Sequence, residues 1–108
     1  MPVSDSQALD AHFAVVESQT MAKVCAAHVQ GFAAEFQRLY EAWRQANEEA
    51  IARGAELAEA KGWNRTDGGP NLQSFAAMEA QILESIPSDD RQRRCNELLE
   101  RFTKKSGQ

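Results

Sequence analysis

The side chains that could do chemistry are few, and their spacing limits what they can do. Cys25 and His28 lie three residues apart, on one face of a helix, with His12 further up the same segment. A Cys-x-x-His pair offers zinc two ligands, but a structural site takes four, and Cys95 would have to arrive from another helix. As nucleophile and base the pair lacks an orienting third group and a turn that stabilises an oxyanion. The remaining reading is a free, buried thiol beside a half-buried imidazole. Paired acids occur at Glu48 with Glu49, Asp89 with Asp90, and Glu97 with Glu100. None is embedded in apolar sequence that would raise its pKa for acid catalysis. No Glu-x-x-His pair suggests a di-metal bundle. Asp67-Gly68-Gly69-Pro70 has the glycines of a phosphate loop without its lysine and hydroxyl, and no strand precedes it. The expectation is therefore no enzyme, no catalytic residue, no cofactor and no metal.

Two further groups could bind rather than react. Arg91, Arg93, Arg94, Arg101, Lys104 and Lys105 form the one basic cluster. Asp89, Asp90, Glu97 and Glu100 precede Arg93, Arg94, Arg101 and Lys104 by four residues, the favourable order for a solvated helix face. Only Arg91 and Lys105 lack such a partner. With no helix-turn-helix signature and no interleaved aromatic, nucleic acid is not the expected partner; a regulator touching nucleic acid through this helix is the alternative. Trp63, just past a helix end and beside Arg65, either tucks back on the last turn or stands out as a binding anchor.

Positioning these groups falls to helices. Alanine, glutamate, glutamine and arginine dominate the composition, and β-branched residues never alternate with polar ones over a strand's length. An all-α fold follows: a long N-terminal helix kinked near Gly31, with two shorter C-terminal helices packing back on it as a helical, coiled-coil-like bundle. The single domain 1–108 divides into helices over about 5–30, 32–61, 72–86 and 89–104, with a loop at 62–71. Ser4 with Gln7 makes a capping box, Gly62 ends the long helix, Asn71 caps the next, and Ser88 the last. The strongest apolar stripe is Val29, Phe32, Phe36, Leu39, Trp43, Ala46, Ala50 and Leu57, in steps of three or four apart from one gap across Gly54. The helix at 72–86 carries Leu72, Phe75, Ala76, Ile82, Leu83 and Ile86 on its stripe, with Glu79 as the odd member.

Helices of about 15 residues span roughly 22 Å, too short to reach the N-terminal stripe of Leu9, Phe13, Val16 and Val24. That stripe, left bare, asks for a partner. The expectation is a homodimer that packs these segments together, with another protein of unknown identity contacting the same surface or its rim. Trp63 and Arg65 complete the expected interface.

The formal net charge of −4 is mild, and residues 1–63 account for all of it. No stretch has the ~20 apolar residues of a membrane span, and the N-terminus has neither the basic start nor the apolar run of a secretory leader. Two cysteines in helical contexts far apart read as reduced thiols, which points to the cytoplasm. The combined reading is a non-enzymatic interaction protein of the adaptor, chaperone, anti-activator or inhibitor kind. The alternatives are the nucleic-acid regulator and a structural coiled-coil subunit of a larger assembly.

Overall fold

A computed structural model of the chain describes the backbone of residues 3–106 and the side chains of residues 3–103. The described residues form five helices: α1 (Asp5–His28), α2 (Phe32–Ala46), α3 (Glu48–Ala60), α4 (Leu72–Ser85) and α5 (Ser88–Ser106). No strand occurs among the described residues. The helix starts and stops follow local chemistry. The Ser4–Gln7 capping box opens α1, each side chain meeting the other residue's amide at 3.1 Å. Gly62, at φ 78°, closes α3 with Trp63 N donating to Ala58 O and Gly62 N to Glu59 O, the paired bonds of a Schellman end. Asn71 Oδ1 accepts from Ser74 N at 2.6 Å to start α4. Ser88 is not a cap but already the first residue of α5, and Pro87 O accepts from Arg91 N.

Three features differ from expectation. Gly31 takes φ 80°, and the chain reverses there rather than kinking. α2 runs back along α1, as Gln19 Nε2 donating to Tyr40 Oη and the packing of Ala22 and Ala26 near Phe36 and Phe32 require. The expected helix 32–61 is two helices, split at Asn47. The Asn47 side chain donates to Trp43 O at 2.8 Å, a local bond that competes with the helical ladder. The third difference is at the other end of the chain. Arg91, expected to lack a partner, reaches back to the C-terminus of α4 and donates to the carbonyls of Leu83, Glu84 and Ile86. Those are among the carbonyls a helix end leaves without intrahelical donors.

The core has two parts of different texture. On one side α2 faces α5, and the expected aromatics are buried: Phe32, Phe36, Leu39 and Trp43. Phe36 stacks on Phe32 and Tyr40, and Phe102 of α5 meets Phe36, Tyr40 and Trp43 edge-on, with centroids 5.0–5.7 Å away. On the other side the packing is made of small residues. α1 buries Ala8, Ala11, Ala14, Ala22 and Cys25, and α3 buries Ala50, Gly54 and Ala58. Short side chains let these two helices approach closely. The face of α1 turned inward is thus not the Leu9, Phe13, Val16 and Val24 stripe, each member of which is only partly buried. Nor is the N-terminal half of α1 left uncovered. α3 and α4 pack on it, with Arg53 reaching Asp5 at 3.2 Å and Phe75 lying 5.7 Å from Phe13. The reversal at Gly31 brings the later part of the expected 32–61 segment, now α3, back over it, with Gly54 against Ala8 and Arg53 beside Asp5.

Candidate docking groove and buried acid pair

The loop 61–71 and the start of α4 frame a groove. Trp63 is fixed at both ends of its backbone, its N donating to Ala58 O and its O accepting from Leu72 N at 2.8 Å. This clamps the end of α3 to the beginning of α4 and sets the indole, half-buried, opposite Phe13 of α1. Phe13, Trp63, Arg65, Pro70, Leu72 and Phe75 line a groove of about 430 Å³. Arg65 is held in place by a fork of two 2.7 Å bonds to Asp67. That guanidinium keeps the Asp67 carboxyl below the usual range, with help from the Gly69 amide. From Phe75 the apolar surface continues along the outside of α4. Phe75, Met78 and Ile82 are 41, 52 and 46% exposed. The expected α4 stripe therefore divides: Leu72, Ala76 and Leu83 face inward together with Ala80, whereas Phe75 and Ile82 join Met78 on the outside. Of the six residues singled out as an interface, the groove brings together Phe13, Trp63 and Arg65. Leu9, Val16 and Val24 do not line it, and Val24 packs against the core of its own chain.

The Cys25–His28 pair comes apart. Cys25 is bonded to Cys95 of α5 with Cα atoms 5.7 Å apart, and both residues are fully buried. The thiols are not free, and the inference of a reducing compartment loses its basis. His28 instead meets the Glu84 carboxylate on α4. No cluster of three or more His, Cys, Asp or Glu side chains suited to a metal occurs among the described residues. His12 lies beside the groove loop. Burial lowers its pKa below 6.5, opposed by a hydrogen bond with Asn64.

A second cleft, also of about 430 Å³, sits where α1, α4 and α5 meet, lined by Glu17, Met21, Glu79, Leu98 and Arg101 among others. Glu17 is 9% exposed, and its Oε1 accepts from Arg101 Nη1 at 2.6 Å. Glu79, on α4, faces Glu17. Burial first, and then the hydrogen bond and repulsion from Glu17, push its pKa up to about 7 against the opposing pull of Arg101 and Arg94. Distance in sequence hid this pair, since 62 positions separate its members. The available signal was an acid on an otherwise apolar stripe, which is what Glu79 is.

The α5 arginines are mostly committed to other groups. Arg93 pairs with Asp90 at i, i+3 rather than with Asp89, Arg101 with Glu17 rather than Glu97, and Arg91 with the end of α4. The expected Glu100–Lys104 pair and Lys105 lie outside the described side chains. Arg53 on α3 reaches Asp5 on α1, and on α2 Arg38 and Arg44 pair with Glu35 and Glu41 one turn before them. No helix among the described residues is long and apolar enough to cross a membrane. No family model matches the chain, and neither a curated protein nor a solved structure is similar enough to it to count as a match.

Proposed function

We propose that this chain is a non-enzymatic protein-interaction module that docks another protein on the outer face of α4 and into the adjoining groove. The observation that carries the reading is the contiguous exposure of Phe75, Met78 and Ile82 on one helix face that opens onto Phe13 and Trp63. Between Leu72 and Ser85 the only charged residues are Glu79, turned inward, and Glu84, held by His28. A face without free charge, about 21 Å long, suits an apolar helix or loop of a partner, with Trp63 and Arg65 as anchors at one end. The expected surface on α1 gives way to this one, of which Phe13 remains a part. The nucleic-acid alternative is weakened because Arg91, Arg93 and Arg101 already serve partners within the chain. The Cys25–Cys95 bridge favours an oxidising compartment over the cytoplasm.

Met78→Glu combined with Ile82→Glu tests the reading, because both positions are exposed and the fold should change by less than about 0.5 kcal/mol. Cross-linked capture by the parent, with a photoreactive group at position 81, should yield a defined adduct that the double variant loses. Sedimentation of both proteins tells whether the adduct is a second copy of the chain. A variant that forms the same adduct as the parent overturns the reading.

A further inference from the structure

The second cleft holds a carboxyl that the docking surface does not use. Glu79 projects from the inward side of α4 into the junction with α1 and α5. Its Oε1 is enclosed and, among the described residues, meets no hydrogen-bond donor. A carboxylate oxygen sealed from water without a donor is strongly disfavoured. A carboxylic acid at the same place is not, because its O–H can donate to the Glu17 carboxylate facing it. Which member of the pair holds the proton follows from Arg101. Its guanidinium donates to Glu17 at 2.6 Å, so the charge-assisted bond goes to Glu17 and not to Glu79. Glu79 has no such donor. We propose that Glu79 carries a proton which it donates to Glu17, tying α4 to α1, and that loss of this proton to water loosens α4 from α1 and α5.

The surroundings fit this assignment. From α1 the group facing Glu79 is Glu17, which repels a second negative charge. From α5 come Arg101, Arg94, Arg93 and Glu97 around the same cleft. Arg101 is taken by Glu17, Arg93 is bonded to Asp90 at 2.8 Å, and Glu97 adds negative charge. Arg94 and Arg101 both favour the ionised form of Glu79, but burial and Glu17 outweigh them. Because the cleft opens to solvent, the released proton has a route to water. Deprotonation then sets two carboxylates against each other between helices, with one guanidinium engaged by only one of them.

The sign of the effect follows directly. Glu79 binds its proton more tightly in the folded chain than in the unfolded one, for which a carboxyl near 4.5 is the reference. The folded state therefore holds more protons between about pH 4.5 and 7, and the stabilisation from this contact is lost as pH rises through that window. His12 acts in the opposite sense, since burial depresses its pKa and its contribution is lost as pH falls. A comparison of parent with variant at Glu79 cancels the His12 contribution.

Loosening α4 would also unsettle Phe75, Met78 and Ile82 on its other side. That consequence rests on the docking role proposed above; the proton link between α4 and α1 does not. The test uses the full chain and amide exchange over residues 72–85, expressed as protection factors at pH 5.5 and 8.5. In the parent, protection of α4 should fall by about thirtyfold at the higher pH. In Glu79→Gln, whose amide donates to Glu17 at both pH values, that fall should be absent, and protection should exceed that of the parent at pH 8.5. Carbon-detected titration of the Glu79 side chain in the parent gives a reading that needs no variant, with a midpoint expected near neutrality. Equal pH slopes in parent and Glu79→Gln, or a Glu79 midpoint in the ordinary carboxylate range, overturn the proposal. Neither result bears on docking, which the Met78 and Ile82 substitutions test separately.

Discussion

Gly54 sits where α3 lies against the backbone of α1 and gives a sharp test of that packing. In an exposed helix interior, replacing glycine by alanine stabilises by roughly 1 kcal/mol, because glycine has more backbone freedom to lose. Here the added methyl has nowhere to go. A Cβ built on Gly54 stands 2.0 Å from the Ala8 carbonyl oxygen, 2.7 Å from its carbon and 2.8 Å from His12 Cβ. Two of the three obstacles are backbone atoms of α1 and cannot swing aside. α3 must retreat by more than about 1 Å to restore ordinary contact distances near 3.5 Å. That movement opens gaps along the neighbouring Ala50 and Ala58 contacts, which are sealed now. Overpacking of this kind costs about 1–3 kcal/mol, and a clash against backbone belongs at the upper end. Allowing for the propensity gain, Gly54→Ala should destabilise by about 2 kcal/mol net, lowering the melting temperature by roughly 10 °C. Thermal and urea unfolding followed by helical circular dichroism measure this, with Ala52→Gly on the exposed side of α3 as the propensity control. A Gly54→Ala protein as stable as the parent would refute the close approach of α1 and α3.

The disulfide and the aromatic core give two more predictions. Cys25 and Cys95 are 70 residues apart, so reduction should cost about 4 kcal/mol through the freed entropy of the unfolded chain. Urea midpoints with and without reductant measure the loss, and an unchanged midpoint would mean that the bridge does not form. Trp43 is 1% exposed and packs on Tyr40 and Phe102, so Trp43→Ala should cost about 3–5 kcal/mol. A variant that unfolds at nearly the parent's urea concentration would place the α2–α5 core elsewhere.

How far the sequence alone reached follows the range of the forces involved. Helix content, the Ser4–Gln7 box, the Gly62 end and the Asn71 cap are decided by residues within a few positions of one another, and each was legible. The α2 stripe was legible too, because Phe32, Phe36, Leu39 and Trp43 are large and nothing else on that helix competes with them. On α1 the bulk of the side chains did not mark the face that packs against α3. Leu9, Phe13, Val16 and Val24 are bulkier than Ala8, Ala11 and Ala14, yet burial there was decided by how near Gly54 and Ala58 could bring a second backbone. Small residues carry that information weakly in sequence, since alanine suits an exposed helix position as well as a buried one. The Cys25–Cys95 bridge, the Glu17–Glu79 pair and the meeting of Phe13 with Trp63 and Phe75 depend on the reversal at Gly31 and on how α4 and α5 then pack across the returning chain. Such packing sets which distant residues meet, and contacts between residues far apart in the chain leave no periodic mark in the sequence. Only the assembled helices brought them together.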